Sequence, residues 1–268
     1  MLLSGALLAA SDQPAKRQPA ETKPVDDETE TQQAARKLVD AIKLTAIAGD
    51  QRPELELSQQ PVLRFGDIPR DNDKGSVWIW TQSGRPQAVM ELYRAADSRS
   101  WVHVIHSLSA DALEGDFGGQ APRWRPPARA VTWNTFMAAQ TPADRPAGRA
   151  RQIKDLAQRF SAHEFWDPNN SRFELRLLIQ PVHKYSEPDS GLLDGALFLV
   201  CHETNPEVAL LLEAVQEKAG AKFRYALARL GHAELHVAFD GKEVWRQERV
   251  ATTRPDEVYW LLFRGVNP

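Results

Sequence analysis

The clearest hydrophobic pattern in the chain is a pair of short apolar runs on either side of a turn. Residues 77–80 are β-branched and aromatic, residues 82–85 are of turn-forming types, and residues 88–93 are largely apolar again. Runs of this kind, bounded by Gly, Ser and Pro, are typical of antiparallel strands. The pattern predicts a β-hairpin over residues 75–93.

A similar order of residue types returns 120 residues further along the chain. Residues 60–65 and 180–185 both begin Gln-Pro-Val, and Gly75 corresponds to Gly195 without a gap. Few positions are identical, but apolar residues hold strand positions and Gly and Pro hold turn positions in both stretches. The match favours a duplicated unit; a chance likeness between two half-buried hairpins is the alternative.

Two segments have the 3.6-residue periodicity of amphipathic helices. They are residues 31–48, ended by Gly49, and residues 147–166. Each begins about 30 residues before its Gln-Pro-Val stretch. We therefore predict an α+β fold of two tandem repeats, residues 31–147 and 148–268, each a helix followed by an antiparallel meander. The two sheets are expected to pack together or to be continuous, and both repeats can belong to one compact domain.

Residues 206–219 carry conflicting signals. Pro206 near the start, Ala and Leu inside and Gly220 at the end are typical of a helix. The correspondence with the first hairpin predicts a strand, and a long apolar run between turn residues suits a sheet that is covered on both faces. We favour the strand.

Residues 1–30 differ in composition from the rest of the chain. Residues 2–10 are apolar and small, which resembles the core of an export signal, although no Lys or Arg precedes them. Residues 11–31 are polar and rich in charge, so they are predicted to be a disordered linker. We expect an exported or periplasmic protein, with a cytoplasmic one as the alternative, and no transmembrane segment.

The net charge, the single cysteine and the tryptophans restrict the partners and the chemistry to be expected. The net charge of −3 gives no electrostatic reason to expect a nucleic-acid partner. Cys201 is the only cysteine and ends an apolar run, so we expect a buried strand residue rather than a nucleophile. The eight tryptophans are expected to be core residues, with a stacking platform for a ligand as the alternative.

The motifs that usually bind metals or cofactors are absent from the sequence. In His232-Ala-Glu-Leu-His236 the glutamate stands one position too late for a zinc-protease helix. On a strand, two residues four apart lie about 13 Å from each other, too far to share one zinc ion. We expect no metal and no cofactor.

A non-enzymatic binding or interaction protein is the first hypothesis for function. Duplicated halves commonly create a cleft at their interface, where an unknown ligand or protein partner would bind. Arg64 and Phe65 of the first half correspond to Lys184 and Tyr185 of the second. These four residues are the candidate ligand-binding residues, with solvation of strand ends as the alternative for the two cations.

A hydrolase with a loop-borne site is the second hypothesis. Its candidate residues are His183, Asp194, His202 and Glu203, which lie near predicted turns at strand ends. Catalytic residues are often carried on such loops. The two hypotheses differ in whether these side chains share one pocket.

Several strings resemble a family of uncharacterised exported proteins from planctomycete-type bacteria. They include Gln60-Pro-Val-Leu-Arg-Phe65, Gly75-Ser-Val-Trp-Ile-Trp80, Gln180-Pro181, Asp194-Gly-Ala-Leu-Phe198 and Asn205-Pro-Glu207. The resemblance covers most of residues 31–268. It implies export and carries no assigned activity.

Overall fold

The computed structural model describes residues 25–67, 72–94, 100–136 and 140–265. Two α-helices lie in these ranges, α1 (Val25–Asp40) and α2 (Pro146–Ala157), together with a short 3-10 helix, Pro188–Ser190. The predicted export signal at residues 2–10 lies outside the described residues. Within the described ranges, neither helix has the length and apolar character needed to span a bilayer.

Strands make up most of the described chain. Those that precede α2 are β1 (Lys43–Ile47), β2 (Glu56–Leu57), β3 (Leu63–Asp67), β4 (Asn72–Gln82), β5 (Arg85–Arg94), β6 (Ser100–Ser107), β7 (Ala112–Asp116) and β8 (Asn134–Thr135). Those that follow it are β9 (Phe160–Phe165), β10 (Phe173–Leu177), β11 (His183–Glu187), β12 (Leu192–His202), β13 (Asn205–Glu217), β14 (Gly220–Arg229), β15 (Glu234–Phe239), β16 (Lys242–Gln247) and β17 (Tyr259–Gly265).

The strands form antiparallel sheets, as the sequence predicted. One sheet has the order β17-β6-β5-β4-β2, with β3 also paired to β4. The larger sheet has the order β16-β15-β9-β10-β12-β13-β14-β8, with β11 also paired to β12. The strands β1 and β7 pair with each other.

The predicted α+β class, with its two helix-plus-meander repeats, is wrong, because the fold is mostly β. The predicted helix over 31–48 ends at Asp40, and the segment from Lys43 to Ile47 is strand β1. Leu44 and Ala46 are buried at alternate positions there, which is the period of a strand and not of a helix. The helix α1 also begins at Val25, inside the segment that was predicted to be a linker.

The second predicted helix, over 147–166, also extends too far. The helix α2 ends at Ala157, and Phe160–Phe165 is strand β9 between β10 and β15. Aromatic and alternately buried side chains favour pairing into the sheet over one more helical turn. His163 and Glu164 therefore lie in a strand and not at a helix end.

Residues 206–219 are strand for most of their length, which confirms the favoured interpretation. The strand β13 covers Asn205–Glu217 and is paired on both sides, with β12 and with β14. The strand that precedes each hairpin pairs with it in the same register, at positions that are 120 residues apart in the sequence. Leu63 lies opposite Val77 in one sheet, and His183 lies opposite Leu197 in the other.

The two hairpin sheets pack face to face, and each has a helix near its outer face. Residues of β4 point alternately to the two faces of the sheet. Val77 and Ile79 pack in the core between the two sheets, whereas Trp78 and Trp80 pack with α1 in a second core on the outer face. Buried residues of both halves fill the central core: Phe65, Val77, Ile79, Val89, Leu108, Leu197, Leu199, Cys201, Ala209, Leu211, Ala226, Ala228 and Leu230. Cys201 is fully buried, as predicted.

Candidate functional site

A cavity lies between α1 and the outer face of the β4–β5–β6 sheet. Its volume is about 520 Å³. Ala35 contributes from the helix, and Leu92 and Trp101 contribute from the neighbouring strands β5 and β6. Six polar side chains without a formal charge also line it: Thr31, Gln32, Gln33, Gln59, Gln60 and Ser76.

Aromatic side chains form the apolar part of the cavity. Trp78 and Trp101 are only 3% and 5% exposed, so each is held in the core and only a small part of its surface faces the cavity. The indole Nε1 of Trp78 donates a hydrogen bond of 3.0 Å to Ser76 Oγ, which fixes the orientation of that ring. This rigid aromatic surface needs little ordering when a flat molecule packs against it.

Arg36 reaches from α1 across the cavity to the sheet. Its guanidinium carbon lies 5.4 Å from the centroid of the Trp78 ring, within the range of a cation–π contact. The same guanidinium pairs with Asp40 one turn along the helix at 2.7 Å and donates a hydrogen bond to the carbonyl of Gln59.

Arg64 supplies the second positive charge of the cavity. It lies on β3 and is exposed, next to the buried Phe65. Two arginines line the cavity, and no carboxylate is among the lining residues in the described ranges. Among the described residues the site therefore combines an aromatic surface, neutral hydrogen-bonding groups and the guanidinium groups of two arginines.

The corresponding region of the second half is filled. Ile153 of α2 is 3% exposed and packs in one core with Phe198, which corresponds to Trp78 in the sequence match. Arg149 of α2 pairs with Asp194 of β12 and donates hydrogen bonds to the carbonyls of residues 143 and 144. This contact holds α2 against its sheet, whereas α1 packs on its sheet through Val39 and leaves a cavity beside residues 31–36.

The four candidate ligand-binding residues do not come together at one cleft. Arg64 and Phe65 line the large cavity, and neither Lys184 nor Tyr185 does. Lys184 is exposed on β11. The space between the halves, where the sequence placed the site, is occupied mainly by the apolar central core.

Tyr185 belongs instead to a buried polar cluster between the two halves. Its hydroxyl donates a hydrogen bond of 3.1 Å to Glu213, a carboxylate with no exposed side-chain surface. Arg224 and Arg85 approach that carboxylate to 2.6 Å and 3.0 Å, and both guanidiniums lie over the ring of Trp133. Burial, and then the charge of Glu213, raise the pKa of Tyr185 well above its usual value.

Three of the hydrolase candidates lie on β11 and β12, and Glu203 follows β12 in the turn. Asp194 is held in the ion pair with Arg149, and His183 Nε2 lies 2.7 Å from the carbonyl oxygen of Gly84. The strand from Asp194 to His202 spans roughly 26 Å at about 3.3 Å per residue. The structure does not bring these side chains into one pocket.

His202 and Glu203 lie at the β12–β13 turn with different surroundings. His202 Nδ1 is 3.0 Å from a carboxylate oxygen of the fully buried Glu164. Glu203 is exposed, has a φ of 51°, and its backbone carbonyl accepts a hydrogen bond from Arg176. Glu164 can orient the imidazole of His202, and Glu203 serves as a turn residue.

His236 does not take part in a metal site in the described residues, where no group of three or more ligand side chains converges. Its two ring nitrogens lie 3.0 Å from Glu234 and 2.7 Å from Glu243. Its ring stacks on that of His163 at 4.6 Å between centroids. The arrangement is a network of polar contacts across β9, β15 and β16.

Sequence reasoning missed most of the residues that line the cavity. Arg36, Ser76 and Trp101 carry no motif, and nothing in their spacing indicates a shared site. The sequence indicates three of the lining residues: Arg64 and Phe65 as candidate ligand-binding residues, and Trp78 as one of the tryptophans for which a stacking platform is the alternative. The guanidinium of Arg36 lies over the Trp78 ring.

The comparisons with known proteins identify no relative. No family model, curated protein or solved structure matches the chain. The resemblance to exported planctomycete-type proteins stays a prediction from the sequence.

Proposed function

We propose that this chain is a non-enzymatic binding protein that takes a small organic molecule into the cavity between α1 and the β4–β5–β6 sheet. The observation that carries the proposal is the 520 Å³ cavity with two fixed tryptophans on one side and amide and hydroxyl groups around it. Ligand sites in proteins are typically concave, of roughly 300–1,000 Å³, mostly apolar, with a few polar groups that fix orientation.

The position of the cavity between a helix and a sheet also supports the proposal. A gap at such a place costs packing energy unless something occupies it, because interiors are otherwise close-packed. The second half shows that this fold can close the gap, since Ile153 and the Arg149–Asp194 pair dock α2 onto its sheet. The first half keeps the gap open and lines it with polar groups.

The hydrolase alternative has weaker support. A nucleophile and its base must lie within hydrogen-bond reach of each other. His183, Asp194, His202 and Glu203 each have a different neighbour, and Cys201, next in the chain to His202, packs in the central core. Burial also raises the pKa of the Cys201 thiol, so it is a poor nucleophile at neutral pH.

A neutral fluorescent probe tests whether the cavity binds ligands. Anilinonaphthalene brightens when its rings enter an apolar site, and we expect saturable binding of one molecule per chain. Ala35→Phe places a ring from α1 into the cavity and should weaken binding at least tenfold. Ala150→Phe adds the same ring to an exposed position of α2 and should leave binding within twofold of the parent. Equal binding by all three proteins would refute the cavity as the site.

We also propose that the protein is exported. The support is the apolar stretch at residues 2–10 together with the family resemblance described above. The test is the N-terminal sequence of the native protein. Cleavage near Ala9 or Ala10 is expected, and an intact Met1 on the mature chain would contradict export.

A further inference from the structure

The charge of the cavity points to the chemical class of its ligand. We propose that the ligand is a small organic anion, with a flat apolar body against Trp78 and Trp101 and an anionic group against Arg64. This inference rests on the proposed binding function and goes further by assigning the ligand a charge. Carboxylate, sulfonate and phosphate groups share the chemistry that a guanidinium recognises.

The two arginines of the cavity have different surroundings. The charge of Arg36 is shared with Asp40 and its guanidinium lies over Trp78, so part of its binding capacity is already used. Arg64 has no carboxylate within ion-pair distance among the described residues, and it is exposed on β3. Arg64 is therefore the group with donors available for an incoming anion, and Arg36 helps to hold the aromatic surface.

The position of Arg64 relative to the apolar surface determines where the ligand must carry its anionic group. Phe65 follows Arg64 in β3 and lies directly on Gly75 of β4, so the two strands are in close contact at this end of the cavity. Trp78 lies further along β4, on the face toward α1. A ligand that contacts both Arg64 and Trp78 needs its anionic group at one end of a rigid body.

The polar groups around the cavity are consistent with this assignment. Gln59 and Gln60 immediately precede the turn into β3, and Gln32 and Gln33 lie on the exposed side of α1. Amides donate and accept hydrogen bonds without adding charge. They can solvate an anionic ligand at the mouth of the cavity and leave the net positive charge unchanged.

A matched pair of probes separates the charge of the ligand from its shape. Anilinonaphthalene sulfonate and anilinonaphthalene have the same ring system and differ in one anionic group. We expect the parent protein to bind the sulfonate at least tenfold more tightly than the neutral probe at low salt. Raising the ionic strength should reduce that preference, because an exposed guanidinium is readily screened.

Arg64→Gln is the decisive variant, and Lys184→Gln is its control. Arg64→Gln should weaken sulfonate binding about tenfold, in line with the loss of a charge-assisted hydrogen bond, and should change neutral-probe binding less than twofold. Lys184 occupies the corresponding exposed position of β11, outside the cavity. Lys184→Gln removes the same formal charge and should change neither affinity by more than twofold.

The outcomes distinguish this inference from the proposed function. If the neutral probe binds as tightly as the sulfonate and Arg64→Gln changes neither, the cavity stands as a site but the anionic ligand is refuted. If Arg64→Gln and Lys184→Gln weaken the sulfonate equally, its binding follows net charge and the assignment to Arg64 fails. If Ala35→Phe leaves both probes bound as before, the proposed function itself fails.

Discussion

The ring of Phe65 lies so close over Gly75 that it leaves no room for a side chain there. A Cβ atom placed on Gly75 would lie 2.3 Å from Phe65 Cζ, a distance that real Cβ atoms do not show. Tyr185 covers Gly195 in the other sheet at the same 2.3 Å. In both sheets a glycine on the central hairpin lets the short neighbouring strand lay its aromatic ring flat across it.

Gly75→Ala is expected to destabilise the protein by about 1–3 kcal/mol, the usual cost of overpacking a well-filled site. The measurement is the free energy of unfolding from urea denaturation. Phe65→Ala removes the ring that clashes, so adding Gly75→Ala to Phe65→Ala should cost much less than it does in the parent. If the cost of Gly75→Ala is the same in both backgrounds, the ring is not its cause.

Glu213 is expected to be a major contributor to stability. Its carboxylate is fully buried and contacts Tyr185, Arg85 and Arg224. Removing one partner of a buried ionic cluster commonly costs about 3 kcal/mol or more, because the remaining charges stay desolvated. Glu213→Gln should therefore lower the free energy of unfolding by roughly that amount.

Glu217 provides the control on the same strand. It pairs with Lys222 at 2.8 Å, but both side chains are more than 40% exposed. Exposed ion pairs contribute at most about 1 kcal/mol. Glu217→Gln should change the unfolding free energy by less than that, and similar losses for the two variants would contradict the account of the buried cluster.

Two buried histidines predict that the fold weakens in acid. Burial lowers the pKa of both His103 and His106 to about 4 from an unfolded value of 6.5. Below about pH 6.5 the unfolded chain therefore binds more protons than the folded one, so the stability present at neutral pH is lost as the pH falls towards 4. Each histidine should contribute a loss of about 2 kcal/mol by pH 4.5.

Imidazole chemical shifts measured by NMR during a pH titration check this directly. In the folded protein the resonances of His103 and His106 should stay at their neutral positions down to about pH 5. In urea both should titrate near their ordinary pKa. A midpoint near 6.5 for either residue in the folded protein would contradict its burial as a neutral group.

The hairpin strands could be predicted from the sequence because their signal is local. Alternating apolar residues and turn residues predict β4 and β5, and the repeat of that pattern predicts β12. The apolar run of β13 was correctly assigned to a strand, since both of its edges are paired. The residue pattern within such a segment is enough to predict its conformation.

The helix ends and the fold class could not be predicted in the same way. Residues 43–47 and 160–165 follow helices without a strong break, and their strand conformation depends on partners far away in the sequence, β7 and β15. Local periodicity does not report such pairing. The result was two helices that were extended too far and an α+β class where the chain is mostly β.

The candidate site was predicted only in part, for a related reason. Arg64 and Phe65 were selected because they correspond to Lys184 and Tyr185, yet only the first pair lines the cavity. Arg36 of α1 lies over Trp78 in the first half, whereas Ile153 of α2 packs with Phe198 in the second. No pattern along the chain records that difference.

The side-chain indole signals of the tryptophans give the most direct test of the cavity as the binding site. An NMR titration with anilinonaphthalene sulfonate follows all eight indole N–H groups at once. Only Trp78 and Trp101 line the cavity among the described residues, so their signals should shift with one common affinity while those of Trp80, Trp133 and Trp245 stay within error. Shifts centred on Trp133 or Trp245, with Trp78 and Trp101 unchanged, would contradict the account.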